Sequence, residues 1–226
     1  MVLFKINGER NSGTNFLSSI LSKNGFPIYI QKITNNICYH WKHGIPRADI
    51  KLLNEQVIDI FIFKNIEEWL QSMYYNCYHL KKKNDFKDFL ITKQQSVEKC
   101  HIDYETKKYI NDDDNNKTIF EIRYYKFQKI MEYKQNNKFV LLVNLSYLQD
   151  ENNLLYFLNF LNVTYMNNSI KGNYITKIPH TKNKSIQTPN RIYNIDIKVY
   201  KDIIDKYKNE EIENFINNLT FDTSNF

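Results

Sequence analysis

The sequence predicts an α/β fold of three layers, a central parallel sheet flanked by helices, and three observations predict it. A short β-type run, Val2–Ile6, enters a turn with a glycine at each end, Gly8 and Gly13, and the turn opens an apolar-periodic helix marked by Phe16, Leu17, Ile20 and Leu21. Two later runs, Val57–Phe63 and Lys138–Leu145, are almost continuously apolar, as strands buried on both faces of a parallel sheet are. Helical patterns separate and follow these runs, and strands that alternate with helices assemble into a parallel sheet covered on both sides.

Taken in order, Val2–Ile6 is the first strand and Thr14–Asn24 the first helix, stopped by Gly25 and Pro27. Pro27–Gln31 and Ile37–Trp41 are short strands, and Val57–Phe63 is an inner strand followed by a helix over Ile66–Tyr78. Residues 81–117 are polar and weakly periodic and contain Asn111-Asp112-Asp113-Asp114-Asn115-Asn116, which predicts an insertion or lid with one helical fragment. Ile119–Tyr133 carries Ile119, Ile122, Ile130 and Tyr133 near one helical face. A buried strand over Lys138–Leu145, a helix over Asn152–Leu161, an irregular stretch over 164–196 and closing helices over Val199–Tyr207 and Glu210–Leu219 complete the chain. With no internal repeat and no long linker, the 226 residues form a single domain.

The composition is 42% hydrophobic and 15% aromatic, enough for a substantial core, with a formal net charge of +6. A basic balance fits either a lysine-rich solvated surface or a polyanionic ligand such as a nucleotide or nucleic acid. The three cysteines, Cys38, Cys77 and Cys100, form no metal-spaced pair, and their odd number fits a reduced chain. No signal-like segment and no membrane-length apolar run is evident, so an intracellular, cytoplasmic chain without membrane contact is expected. Asn, Lys, Ile and Tyr abound while Ala48 is the sole alanine, a bias that suggests an AT-rich genome, such as that of a large DNA virus (the chain then acting in the host cytoplasm) or a protist.

Strand, glycine-bounded turn and helix start form a phosphate cradle: the helix end offers free N–H groups and partial positive charge, and glycine lets the backbone approach the anion. The Gly-x4-Gly spacing of Gly8 and Gly13 is that of a nucleotide P-loop, but Thr14 stands where the Walker lysine belongs. The fold class is thus refined to a P-loop-type α/β fold whose cradle serves a user other than an ordinary ATPase or kinase.

Three ordered blocks carry a resemblance to a known family. They are Gly8-Glu9-Arg10-Asn11-Ser12-Gly13-Thr14-Asn15-Phe16-Leu17, then His40-Trp41-Lys42-His43-Gly44, then Phe63-Lys64-Asn65-Ile66-Glu67-Glu68-Trp69-Leu70-Gln71-Ser72-Met73, with Glu121–Lys126 as a weaker fourth. Together they resemble the P-loop sulfotransferases, especially a compact branch with the Gly-Glu-Arg-Asn-Ser-Gly-Thr-Asn loop. The third block is similar to the family's Arg-Asn-Pro-x-x-Trp-x-x-Ser segment, with Lys64 in place of Arg and Ile66 in place of Pro. Where many members carry Tyr-Glu-Asp-Leu, this chain has Leu145-Ser146-Tyr147-Leu148.

The resemblance implies transfer of a sulfonate group from 3′-phosphoadenosine-5′-phosphosulfate to a hydroxyl or amine, leaving adenosine 3′,5′-bisphosphate. It implies that Asn11, Ser12, Gly13, Thr14 and Asn15 wrap the 5′-phosphosulfate through backbone N–H groups and the Thr14 hydroxyl, with charge from Arg10. It implies that Lys64 and Ser72 grip the 3′-phosphate. His43 is the candidate general base, with His40 its rival, because neutral imidazole titrates in the useful range. Lys42 is placed to stabilise the bridging oxygen of the leaving phosphate. Sulfuryl transfer asks for charge stabilisation and alignment and does not require a metal. Trp69 and Trp41 either stack on adenine or fill the core, and Arg123 and Lys126 either approach the nucleotide or face solvent.

The acceptor, a small molecule, a glycan or a peptide tyrosine, is not legible. Two other functions compete: a P-loop small-molecule kinase, against which the absent Walker lysine speaks, and a non-catalytic nucleotide- or RNA-binding protein. The 17 tyrosines and the basic charge permit the latter, but no RNA-module motif is present, so nucleic acid is not the expected partner.

Overall fold

The computed structural model describes residues 2–29, 33–34, 37–38, 56–76, 80, 83, 85–94, 101–102, 109–110, 116–177 and 195–222. In chain order the elements are β1 (Val2–Gly8), α1 (Thr14–Lys23), β2 (Ile33–Thr34), β3 (Ile37–Cys38), β4 (Gln56–Phe63), α2 (Ile66–Tyr75), α3 (Phe86–Ile91), β5 (His101–Ile102) and β6 (Tyr109–Ile110). There follow α4 (Ile119–Asn136), β7 (Val140–Asn144), α5 (Leu145–Gln149), α6 (Glu151–Met166), a 3-10 turn (Ile197–Tyr200), α7 (Lys201–Tyr207), α8 (Glu210–Asn218) and β8 (Phe221–Asp222).

The main sheet has the order β1-β4-β7-β8. β1 and β4 run parallel from Val2 opposite Gln56 to Gly8 opposite Ile62, and β4 and β7 run parallel from Asp59 opposite Val140 to Phe63 opposite Asn144. β8 pairs antiparallel with β7, so the sheet is mixed rather than wholly parallel. β2 with β3 and β5 with β6 form two small antiparallel pairs. The outer edge of β1 is covered: Phe4 N–H donates to the Pro27 carbonyl at 2.8 Å and Tyr29 N–H donates to the Phe4 carbonyl at 2.8 Å.

Alternation along the strands separates two cores. On one face Phe4, Ile6, Ile58, Ile60, Ile62, Leu141 and Val143 pack against Leu17, Ile20 and Leu21 of α1, Leu145 and Leu148 of α5, and Leu154, Phe157, Leu158 and Leu161 of α6. On the other, Phe61, Phe63, Val140 and Leu142 meet Phe127 and Ile130 of α4 and Ile212 and Ile216 of α8. The result is helix, sheet, helix. A third apolar cluster joins α2, α3, the start of α4 and Ile204 of α7.

Several elements differ from expectation. Within 81–117, expected to be an insertion or lid with one helical fragment, the helix is α3; it buries Phe86, Phe89 and Leu90 in the core, and its N-terminus is capped by Asp85 accepting from Lys87 N–H at 2.7 Å. The run Asn111–Asn115 lies outside the described residues. The expected strand over Lys138–Leu145 ends at Asn144, whose side chain accepts from Ser146 N–H at 2.7 Å and starts α5. The helix expected over Asn152–Leu161 extends to Met166, and the Ile66–Tyr78 helix closes at Tyr75.

The irregular stretch after α6 is held by two asparagines that imitate backbone. Asn162 exchanges a pair of hydrogen bonds with Ile170, at 3.0 and 3.1 Å. Asn24, at the end of α1, donates to the carbonyls of Ile20 and Ile175, both at 2.9 Å, and accepts from Ile175 N–H at 2.6 Å. Removing such a side chain strands buried backbone groups. Asn24→Ala therefore lowers stability by about 1–3 kcal/mol in urea unfolding, and the Ile175 amide loses its protection against hydrogen exchange.

Candidate functional site

Because β1 and β4 are parallel, their carboxyl ends emerge together, Asn7 beside Phe61 and Gly8 beside Ile62. The loop Glu9–Gly13 leaves one strand while Lys64 and Asn65 leave the other. A crevice beyond the carboxyl ends of parallel strands is where such sheets bind ligands.

The loop is tightly determined. The Glu9 carbonyl accepts from Ser12 N–H at 3.2 Å and from the Ser12 hydroxyl at 2.7 Å. Asn11 has φ 62° and Gly13 has φ 101°, both left-handed. A Cβ on Gly13 would lie 2.8 Å from Leu145 Cδ1, and one on Gly8 would lie 2.5 Å from the Ile62 carbonyl oxygen. Gly8 is thus required by close backbone approach, and Gly13 by conformation as well.

Gly13 is the N-cap of α1, no side chain among the described residues caps this end, and the first turn holds no acidic residue. Leu17 N–H is bonded to the Gly13 carbonyl at 3.1 Å, which leaves the amides before it outside the intrahelical ladder, at the positive end of the helix dipole. Thr14 is buried and Asn15 exposed.

From the β4 side, Lys64 Nζ donates to Ser72 Oγ at 2.8 Å and lies 3.8 Å from Glu68 Oε2. Lys64 and Ser72 are both buried. Burial pulls the Lys64 ammonium below its ordinary pKa, with Glu68 offsetting part of the shift. Loop and helix are stitched together: Trp69 Nε1 donates to the Arg10 carbonyl at 3.0 Å, and Asn11 Nδ2 donates to the Asn76 carbonyl at 3.1 Å and approaches Met73 Sδ at 3.2 Å.

Beneath them sits Arg123 of α4, with 0% exposure. Its NH1 donates to Glu9 Oε2 at 2.5 Å, its Nε and NH2 to the two carboxylate oxygens of Glu213 at 2.7 and 2.9 Å, and NH2 also to the Lys64 carbonyl at 2.8 Å. Its guanidinium carbon stands 4.8 Å from the centre of the Trp69 ring, a cation–π contact. The two carboxylates raise the Arg123 pKa against the opposing effect of burial. Glu9 is pushed up to about 7, because burial outweighs the attraction of Arg123 and Glu213 adds repulsion. Among the described residues its buried Oε1 has no hydrogen-bond partner.

Of the residues singled out from sequence, Lys64 and Ser72 are in contact, and Arg10, Asn11, Ser12, Gly13, Thr14 and Asn15 form the loop and helix start beside them. In this loop the Ser12 N–H and hydroxyl are both given to Glu9, and the Asn11 side chain to α2. His43, Lys42, His40 and Trp41 lie outside the described residues. Trp69 is a core residue, 1% exposed, and Arg123 neither faces solvent nor stands open to a ligand: it is enclosed by protein partners. Glu9 and Glu213 had no role in the sequence reading. Glu9 lay within the loop motif, but nothing in the spacing joins it to residues 123 and 213. Among the described residues no cluster of His, Cys, Asp and Glu is arranged to hold a metal ion, and no helix is long and apolar enough to cross a membrane.

Comparison with protein-family models, with curated proteins and with solved structures finds no match to this chain.

Removing the guanidinium leaves two buried carboxylates facing each other. Arg123→Met lowers stability by roughly 3–5 kcal/mol near neutral pH, measured by urea unfolding. Glu9 adds a pH signature: its carboxyl binds a proton more tightly folded than unfolded, so stability falls as pH rises from about 4.5 to about 7 and then levels. In Glu9→Gln that contribution to the slope disappears.

Proposed function

We propose that this chain is a P-loop-type sulfotransferase, with Gly8–Asn15 as the cradle for the 5′-phosphosulfate of 3′-phosphoadenosine-5′-phosphosulfate. The observation that carries this reading is the meeting of Lys64 with Ser72 at the end of β4, next to a strand-to-helix turn whose helix start has neither a side-chain cap nor a carboxylate. Among the described residues this buried ammonium has one hydroxyl partner and a distant, half-exposed carboxylate, and a phosphate would complete it. The Gly13 and Thr14 amides at the start of α1 supply a second anion subsite. Two such subsites suit a nucleotide bearing negative groups at both its 3′ and 5′ positions.

In the reaction the acceptor oxygen attacks sulfur in line as the bond from sulfur to the bridging phosphate oxygen breaks. His43 takes the acceptor proton, Lys42 and Arg10 offset charge on the leaving phosphate and sulfonate, and adenosine 3′,5′-bisphosphate departs. Amides fixed before the reaction begins act without reorganisation, which is the use of a loop as constrained as Glu9–Gly13.

Adenosine 3′,5′-bisphosphate is expected to raise the melting temperature, AMP to do so less, and ATP with magnesium to show no advantage. Lys64→Ala and Ser72→Ala each weaken the bisphosphate by about tenfold or more. In an acceptor screen with the sulfonate donor, His43→Ala lowers turnover by about a hundredfold. Stabilisation by ATP with magnesium alone would favour the kinase function. Salt-sensitive nucleic-acid binding without bisphosphate binding would favour the non-catalytic one.

A further inference from the structure

We propose that Glu9 is a positioning residue that takes up a proton when an anion occupies the cradle at the start of α1, so that anion affinity falls as pH rises through neutrality. The inference rests on the anion-site reading under Proposed function and adds how that site is regulated.

Glu9 is the first loop residue, and its own carbonyl holds both the N–H and the hydroxyl of Ser12. Its side chain is 4% exposed, with Oε2 on Arg123 and Oε1 without a partner. Arg123 cannot fully neutralise it, because the same guanidinium serves both oxygens of Glu213 and the carbonyl of Lys64. The charged groups that act on it are Arg123 and Lys126 from α4 and Glu213 from α8, and the Tyr124 hydroxyl of α4 is coupled to Glu213 and Arg123 in turn. Two buried carboxylates share one arginine, with Lys126 a further cation acting on Glu9, and Glu9 is the carboxylate whose second oxygen lacks a hydrogen-bond partner among the described residues.

An anion at the Gly13 and Thr14 amides adds further negative charge close by. The neutral carboxyl of Glu9 is then favoured, and a proton moves from solvent onto Glu9 as the anion binds. Burial pushes the Glu9 carboxyl up to about 7, so the coupling falls within the physiological range. Lys64 is the other group able to produce a pH dependence, since burial lowers its pKa and losing its charge also weakens an anion. Lys64 stays in place in Glu9→Gln, so the two sources separate.

The test uses inorganic sulfate, which keeps the same charge from about pH 6 to about pH 9, and follows the amide resonances of Gly13 and Thr14 in the whole chain. Sulfate affinity is expected to fall about three- to tenfold per pH unit above about pH 7. Binding heats in buffers of different ionisation enthalpy are expected to show proton uptake. Glu9→Gln should retain the affinity seen at low pH and flatten the profile. A flat wild-type profile, or an unchanged slope in Glu9→Gln, would overturn the proposal while leaving the anion site standing. Should Glu9→Gln fail to fold, the proton count of the wild-type chain decides alone: no uptake near neutral pH overturns it. No perturbation of either amide at any pH would overturn the anion-site reading and this proposal with it.

Discussion

The guanidinium of Arg123 is the point on which the rest of the site depends. It lies among four parts of the chain that are remote in sequence: the loop after β1 through Glu9, the end of β4 through the Lys64 carbonyl, α2 through the face of Trp69, and α8 through Glu213. A buried cation of this kind is tolerable only when each donor finds an acceptor. That requirement fixes the separation of β1, β4 and α8 more sharply than apolar packing can, since a displaced acceptor would leave charge unpaired in the interior. α4, which carries Arg123, is itself set by a capping box between Thr118 and Glu121.

Around this centre the sheet and the loop support one another. Parallel pairing brings Gly8 against Ile62, and the absence of a Cβ there lets the loop turn over the end of β4. The turn closes on the Glu9 carbonyl, Gly13 starts α1, and Trp69 and Asn11 tie the loop to α2. At the end of β7, Asn144 donates to Asn65 Oδ1 at 3.0 Å and to the Ile216 carbonyl at 2.5 Å, so the third strand is joined to the same region. The Gly13 and Thr14 amides at the start of α1 lie outside the intrahelical ladder among the described residues. Donors held by a rigid frame are preorganised.

Apolar pattern and turn chemistry made much of this legible. β1, α1, β4 and β7 follow directly from glycine spacing and from runs of buried residues, whereas Lys64 and Ser72 were brought together only by what the family resemblance implied. Other features escaped for identifiable reasons. The helix α5 follows β7 without a break, and an apolar run such as Val140–Leu145 does not reveal where strand becomes helix; the cue was the capping side chain of Asn144. One helical fragment was expected in the polar stretch 81–117, but its place was not legible, because the buried residues of α3, Phe86, Phe89 and Leu90, are too few to set a period. The asparagine-rich composition obscured Asn24 and Asn162, each of which bonds the backbone of a distant segment. Arg123 was open between solvent and ligand because its partners, Glu9 and Glu213, are brought to it only by the fold. β8 is two residues long, below the length at which alternation carries information.

The most direct test of the account is the crystal structure of the chain with adenosine 3′,5′-bisphosphate. One phosphate is expected within hydrogen-bonding distance of the Gly13 and Thr14 amides and the other on Lys64 Nζ and Ser72 Oγ, with Arg123 still joined to Glu9 and Glu213. A nucleotide bound elsewhere, or one whose phosphates leave both the α1 amides and Lys64 untouched, would contradict it.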